Sequence, residues 1–268
     1  MRVTDRCNDL FRLLRTARWL TTGQIHERFF APATVDATRK RLRKLVAHHY
    51  LIVRRTHRMD QSWFALGRAG KQALQNAGVE EVSLERRVPT QVEHFRGIND
   101  CRILAELAGC GYFFACWELP GVGWRERLIP DAIFTIQNQL FAVEYDRGME
   151  GAEFFARTKI PSYERGFAGF PCRGLIVLTD SQQRMVVLDR AIGTTTIDIR
   201  YSTVQMMRER GLGQPIFHRY PSLQTVPETL LSASLADKRP FDAQSPDTTK
   251  VEMDSGLAIK EHQLDGGL

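Results

Sequence analysis

The stretch LIPDAIFTIQNQLFAVEYD, residues 128–146, decides how the second half of this chain is read. Two apolar runs, residues 128–136 and 140–146, flank a short polar turn at Asn138-Gln139, and carboxylates stand at the outer ends of both. Side chains alternate between the two faces of a strand. A two-residue loop at Asn138-Gln139 pairs Gln137 with Leu140, which sets Asp131 opposite Asp146 and Ile133 opposite Glu144. Asp131, Glu144 and Asp146 then project from one face, as cross-strand neighbours within about 5–8 Å. The other face carries Ala132, Phe134, Ile136, Phe141, Val143 and Tyr145, an apolar set suited to burial. Three gathered carboxylates repel one another, and a divalent cation with oxygen ligands, Mg²⁺ or Mn²⁺, would relieve the repulsion. The same spacing also fits three solvated carboxylates at a strand end.

Working outward, the length of 268 residues suits one large domain or two smaller ones, and 43% hydrophobic with 25% charged residues is ordinary for a globular chain. No apolar stretch is long enough to span a membrane, and Arg2, Asp5 and Arg6 do not begin a signal peptide, so a cytoplasmic protein is expected. The five cysteines, Cys7, Cys101, Cys110, Cys116 and Cys172, form no Cys-x-x-Cys pair, which argues against a disulfide framework or a structural zinc site. Charge is unevenly spread. Residues 1–87 hold 18 Lys/Arg and 8 Asp/Glu, a charge of +10, which leaves −4 for the remainder of a chain whose net charge is +6. A basic first third points to a polyanion-binding module, although a solvated basic face has the same composition.

The first third orders its elements in a telling way. Helical periodicity over residues 5–20 is followed by a Thr21-Thr22 cap and a second helix over 23–30, which Ala31-Pro32 ends. A longer helix over 34–49 carries Val35, Thr38, Leu42, Leu45 and Val46 as its buried stripe. Strands at 51–56 and 62–66, joined by Thr56-His57-Arg58-Met59-Asp60, precede a helix over 67–78. Three helices and a two-stranded ribbon are the order of a winged helix-turn-helix. The third helix would read duplex DNA. Its polar side is Asp36, Arg39, Lys40, Arg41, Arg43 and Lys44, with cations suited to phosphates and guanine edges. Arg54, Arg55, His57 and Arg58 would form the wing.

Residues 80–89 are a charged connection and the expected domain boundary. Beyond it the periodicity predicts a helix over 90–108, a strand over 112–119, the hairpin, a helical stretch over 151–165 that Pro161 kinks or splits, and a strand at 175–179. A helix at 181–189, a strand at 195–201, a helix at 203–210 and a last strand at 214–218 complete a mixed-sheet α/β domain. From Pro227 onward Ser, Asp, Pro, Thr and Gly dominate, and a disordered tail over 227–268 is expected.

Helix, strand, Pro130-Asp131 on a strand, Glu144-Tyr145-Asp146 on the next, helix, strand resembles the PD-(D/E)xK nuclease superfamily. A winged helix ahead of Pro130-Asp131, of Val143 to Gly148 and of Lys159 and Tyr163 on the following helix resembles, more closely, the replication-relaxation family of plasmid and mobile-element proteins. The run Trp63-Phe64-Ala65-Leu66-Gly67-Arg68-Ala69-Gly70 is similar to a segment of that family, with Phe64 and Gly67 in place of its tyrosine and threonine. The resemblance covers residues 5–220. It implies a winged helix over 5–80, a nuclease-like domain over 90–220, and Asp131 and Glu144 as ligands of Mg²⁺ or Mn²⁺. In the superfamily a lysine follows two residues after the second acid. Here that place is Asp146, which adds negative charge where a phosphate would approach. Lys159, with Tyr163 one helical turn on, would supply the cation instead, or would pair with Glu144 or Asp146 as a structural ion pair.

Other residues are weighed beside these. His94 near the start of the first domain helix would face the site, while Glu93 is equally explained as exposed. Glu118 would reach the sheet end unless Pro120-Gly121 turns the chain away. Two readings result. One is a DNA-binding protein of plasmid or mobile-element replication or transfer, acting with partner replication or transfer proteins, whose nuclease-like domain is weakly active or inactive. The other is a Mg²⁺-dependent endonuclease or nickase using Asp131, Glu144, Asp146, Lys159 and Tyr163. Homodimerisation through the α/β domain is a third.

Overall fold

Trp19 is fully buried, at the point where the chain leaves its first helix, and much of the architecture follows from what surrounds it. The structure is a computed structural model that describes residues 2–55, 62–124, 127–136, 138–169, 172–212 and 214–221. The expected wing residues Thr56 to Asp60, including Arg58, and the tail over 227–268 lie outside the described residues.

Helix α1 (Asp5–Ala17) buries Leu10, Leu13, Leu14 and Ala17, the stripe its spacing predicts, and Phe11 beside them. A two-residue strand β1 (Leu20–Thr21) follows, and Thr21 then caps α2 (Thr22–Ile25) through a capping box with Gln24. The second helix does not run on as a plain α-helix. It widens into a π-helical turn at His26–Phe30 before Pro32 stops it. Helix α3 (Val35–Ala47) is capped by Thr34, whose hydroxyl accepts from the Ala37 amide. Thr38, Leu42 and Leu45 face inward, but Val35, expected inside, is 40% exposed, because it sits on the first turn before the helix meets the core.

Strands β2 (Leu51–Arg54) and β3 (Trp63–Leu66) pair antiparallel, and β3 also pairs with β1, so the small sheet runs β1-β3-β2. Gly67 then admits α4 (Arg68–Asn76) only because it lacks a side chain. A Cβ there would lie 2.3 Å from the His49 carbonyl oxygen, against fixed backbone. The glycine singled out in the sequence therefore answers to a close backbone approach.

Helix α5 (Val92–Leu107) is buried on nearly every side, the mark of a helix packed between two layers. Ile98, Cys101 and Ala105 join the core under the large sheet, while Ile103 joins the core of the first three helices. Phe95 packs with Trp19 and Trp63 and stacks on Trp117, with ring centroids 4.5 Å apart. Asn99 donates to the Ala17 and Trp19 carbonyls at 3.1 Å each, Gln24 donates to Asp100 at 2.8 Å, and the Trp117 indole donates to Thr16 O at 2.8 Å. The charged connection is anchored too, with Val82 buried in the first core.

The large sheet has six strands, β4 (Phe113–Ala115), β5 (Ala132–Ile136), β6 (Gln139–Asp146), β7 (Cys172–Thr179), β8 (Ile199–Thr203) and β9 (His218–Arg219), in that order. The first three are antiparallel, β6-β7-β8 are parallel, and β9 is antiparallel to β8. The fold is α+β with a mixed sheet. The strand expected over 112–119 stops at Ala115, because the chain turns at Cys116 and enters a 3-10 turn at Leu119–Val122. The strand expected over 195–201 begins late, at Ile199, because Glu164 ties Thr195 and Thr196 into a loop. The last strand likewise begins at His218 rather than 214.

Helix α6 (Ala152–Phe154), a π-helical turn at Phe155–Lys159 and α7 (Ile160–Gly169) run on continuously through Pro161. In the wide turn the Ile160 amide reaches back five residues to Phe155 O. This makes room for the proline ring and its missing donor without a break. Helices α8 (Gln182–Ala191, capped by Ser181) and α9 (Val204–Arg210, capped by Thr203) complete the fold. Helices α7 and α8 cover one face of the sheet, and α5 and α9 the other. Among the described residues no helix is long and apolar enough to cross a membrane.

Candidate functional site

The hairpin forms in a register two residues away from the expected one. Ala132 lies opposite Val143 and Ile136 opposite Gln139, with Asn138 in the left-handed conformation at the turn. A shift of two preserves the faces. Ala132, Phe134, Ile136, Phe141 and Val143 enter the core shared with α5, as predicted, and the carboxylates stay on the opposite face. What changes is who meets whom. Continuing the ladder, Asp131 falls opposite Glu144, and Asp146 runs past the end of β5.

Asp131 is held at both oxygens. Its Oδ2 accepts from the Tyr145 amide at 2.8 Å, and its Oδ1 lies 2.9 Å from His94 Nε2, brought in by the first turn of α5. Glu144 is 2% exposed. Its Oε2 accepts from Lys159 Nζ at 2.8 Å, and its Oε1 accepts from the Tyr163 hydroxyl. The widened turn before Pro161 brings Lys159 and Tyr163 to the same carboxylate. Lys159 also lies 3.0 Å from Glu150.

Asp146, expected beside Asp131, belongs to a separate ion pair. Arg184 of α8 grips it at 2.9 and 3.2 Å, and the Gly148 amide donates to it as well. The register explains this: without a β5 residue across from it, Asp146 turns to the neighbouring helix. The chain turns at Pro120-Gly121, and Glu118 pairs with the buried Arg102 and accepts from the Ala115 amide at 2.9 Å. Glu93 is exposed and 3.6 Å from Arg96.

Burial and the negative charge of Asp131 push the Glu144 carboxyl up, against the pull of Lys159 and Tyr163. Burial opposes the Lys159 ammonium, but Glu144 and Glu150 outweigh it and hold the proton more firmly than usual. These tendencies compete, since a protonated Glu144 would give up what holds Lys159. With an ammonium on one oxygen and a phenol donor on the other, the geometry favours the ionised pair. Tyr163 stays a phenol, because burial and Glu144 both raise it.

The donor set chemically suits a hard divalent cation, but its arrangement does not fit one. All four oxygens of Asp131 and Glu144 already have hydrogen-bond partners, one of them an ammonium that supplies the compensating charge. Among the described residues no group of three or more His, Cys, Asp or Glu side chains is placed to hold a metal ion.

His94 is held above the ordinary histidine value. Burial lowers it, but the hydrogen bond and charge of Asp131 prevail. A group raised on folding contributes stability that is complete below its unfolded pKa, about 6.5, and is lost as pH rises through the folded value. Denaturant unfolding should therefore show stability falling as pH rises above about 6.5, a loss that is absent in His94→Asn. The neighbouring Tyr145 ring stacks on His94, with centroids 5.7 Å apart, and its hydroxyl donates to Asp180 at 2.6 Å. Gly97 makes room for that ring, since a Cβ there would lie 1.9 Å from it. Gly97→Ala should displace the ring and cost about 1–3 kcal/mol, read as a lower thermal midpoint.

The second candidate surface is α3. Arg39, Lys40, Arg43 and Lys44 are exposed on it, Arg39 beside Asp36 at 2.9 Å. Arg41 is different. It turns back toward α1 and donates to Cys7 Sγ at 3.0 Å and Arg2 O at 3.1 Å, so its role is to hold α3 in place. Arg54 and Arg55 are exposed at the end of β2.

Sequence reasoning missed Glu150, Arg184 and Asp180. Each meets its partner across a turn or a crossover, where no periodic pattern carries a signal.

The model of the family described as replication-relaxation matches residues 11–176, a span running from α1 into β7 that includes α3, Asp131, Glu144, Lys159 and Tyr163. No curated protein matches the chain.

Proposed function

We infer what the protein does from one premise: the chain belongs to the replication-relaxation family. It acts in the replication of a plasmid or mobile element, or in the associated transfer and its regulation. Residues 5–80 are a winged helix that binds duplex DNA through α3, and residues 90–220 are a nuclease-like domain that cleaves DNA weakly or not at all. The observation that carries the DNA-binding half is the outer face of α3, where Arg39, Lys40, Arg43 and Lys44 are exposed together. The order of elements, with β1-β3-β2 behind α3, supports the winged helix. The test is binding to a labelled duplex over a salt series. Affinity should fall steeply, with a log–log slope of about −4 if four phosphates are neutralised; a flat response would exclude binding by charge.

A second reading, a Mg²⁺-dependent nuclease or nickase, is favoured by the meeting of Lys159 with Glu144 across from Asp131. Against it stand the buried pair and Asp146 in place of the superfamily lysine. Incubation with supercoiled, linear and branched DNA in Mg²⁺ or Mn²⁺, beside Glu144→Gln, separates the two. Cleavage that depends on Glu144 would establish the enzyme.

A further inference from the structure

We propose that the cleft between α5 and α9 is a phosphate site that takes one phosphodiester of a nucleic-acid strand. It lies on the face of β6 opposite Glu144, encloses about 240 Å³, and opens at the C-terminal ends of the neighbouring parallel strands β6 and β7, the position at which parallel sheets offer ligands a crevice. Three guanidiniums from three parts of the fold line it: Arg96 on α5, Arg147 after β6 and Arg208 on α9. Arginine is the side chain best matched to phosphate, through its planar fork of donors.

The carboxylates beside Arg96 and Arg147 hold them loosely. Arg96 is 3.6 Å from Glu93 and 4.0 Å from Asp100, and Arg147 is 3.8 Å from Asp180. A fitted guanidinium–carboxylate pair closes to about 2.7–2.9 Å. The acids also have other partners. Asp100 accepts from Gln24 at 2.8 Å and lies 3.1 Å from Arg208, and Asp180 accepts from Tyr145 at 2.6 Å. A phosphate can therefore draw in Arg96 and Arg147 without stranding a buried charge, while Arg208, also 3.5 Å from Glu27, forms the fixed wall. Because acids and bases balance in the lining, the anion is held by geometry rather than by a strong field, and binding is weak and selective for a group that fits. The choice of a nucleic-acid strand as the source rests on the DNA-binding reading above; the phosphate chemistry does not.

The test titrates the full chain with a six-nucleotide oligothymidylate and, separately, with thymidine 5′-monophosphate. Four proteins are compared: the unaltered chain, Arg96→Ala/Arg147→Ala, Asp180→Asn, and Arg39→Ala/Lys40→Ala/Arg43→Ala/Lys44→Ala. The oligonucleotide should bind roughly tenfold more weakly to the double arginine variant and more tightly to Asp180→Asn, which frees Arg147 and, as a gain, cannot arise from misfolding. The α3 variant is titrated with duplex DNA, since the cations of α3 would also attract the phosphates of the oligonucleotide. Equal affinity for the free monophosphate would overturn the strand assignment in favour of a nucleotide. Oligonucleotide affinity indifferent to both the arginine and Asp180 changes would overturn the site. That result would leave duplex binding through α3 untouched, which fails on a different observation, retention of duplex affinity by the α3 variant.

Discussion

Replacing Arg39, Lys40, Arg43 and Lys44 together by alanine should reduce affinity for duplex DNA roughly 10²–10³-fold near physiological salt, and should flatten the salt dependence by about one unit of log–log slope for each phosphate that is no longer neutralised. The four side chains are exposed on α3, so the fold should survive the change. Alanine is the best helix former, and the buried residues Thr38, Leu42 and Leu45 are left alone. Arg41 is deliberately absent from the set. Its bond to Cys7 and to the Arg2 carbonyl means that Arg41→Ala would loosen α3 from α1, and weaker binding there would report on packing. Filter binding or fluorescence anisotropy across a salt series reads both quantities. Undiminished affinity in the quadruple variant would remove α3 as the reading element.

The second large effect is at Glu144. Glu144→Ala should cost about 3–5 kcal/mol of unfolding free energy, as expected when one partner of a buried ion pair is removed. It leaves the hydroxyl of the buried Tyr163 without this acceptor, and Lys159 with Glu150 as its remaining carboxylate partner among the described residues. Glu150 keeps the lysine partly compensated, which places the expected value toward the lower end. The counterpart is the double change Glu144→Leu/Lys159→Met, which removes both charges and should recover most of the stability, because apolar residues of similar volume often replace a buried pair at little cost. Denaturant titration of the single and double variants checks this. If Glu144→Ala is as stable as the unaltered chain, the pair is not structural, and the case for a working nuclease centre is strengthened.

Much of this architecture was legible in the sequence. The stripe of α1, the Thr21 cap, the basic face of α3 and the alternation along residues 132–143 are all local patterns, and local patterns need no knowledge of the rest of the chain. The hairpin shows where legibility ended. Its faces could be read because alternation has a period of two, yet its register depended on which residues formed the turn, and moving the turn by one residue slid every pairing by two. That small shift decided the chemistry. It took Asp146 out of reach of β5 and gave it to Arg184, and it set Asp131 across from Glu144. The passage through Pro161 was equally hidden, since a widened turn depends on how one helix settles against a sheet.

Helix α5 bears on how such a protein can change over generations. Its flanks serve two cores at once, through Phe95, Asn99 and Ile103 on one side and Ile98, Cys101 and Ala105 on the other. A reading head joined by a free tether can be exchanged for another with a different DNA preference. Here an incoming head would have to present backbone carbonyls to Asn99, an amide to Asp100 and an aromatic bed to Phe95. If α3 reads DNA as proposed, substitutions on its outer face would leave these partners in place, whereas exchanging the first three helices wholesale would strand them.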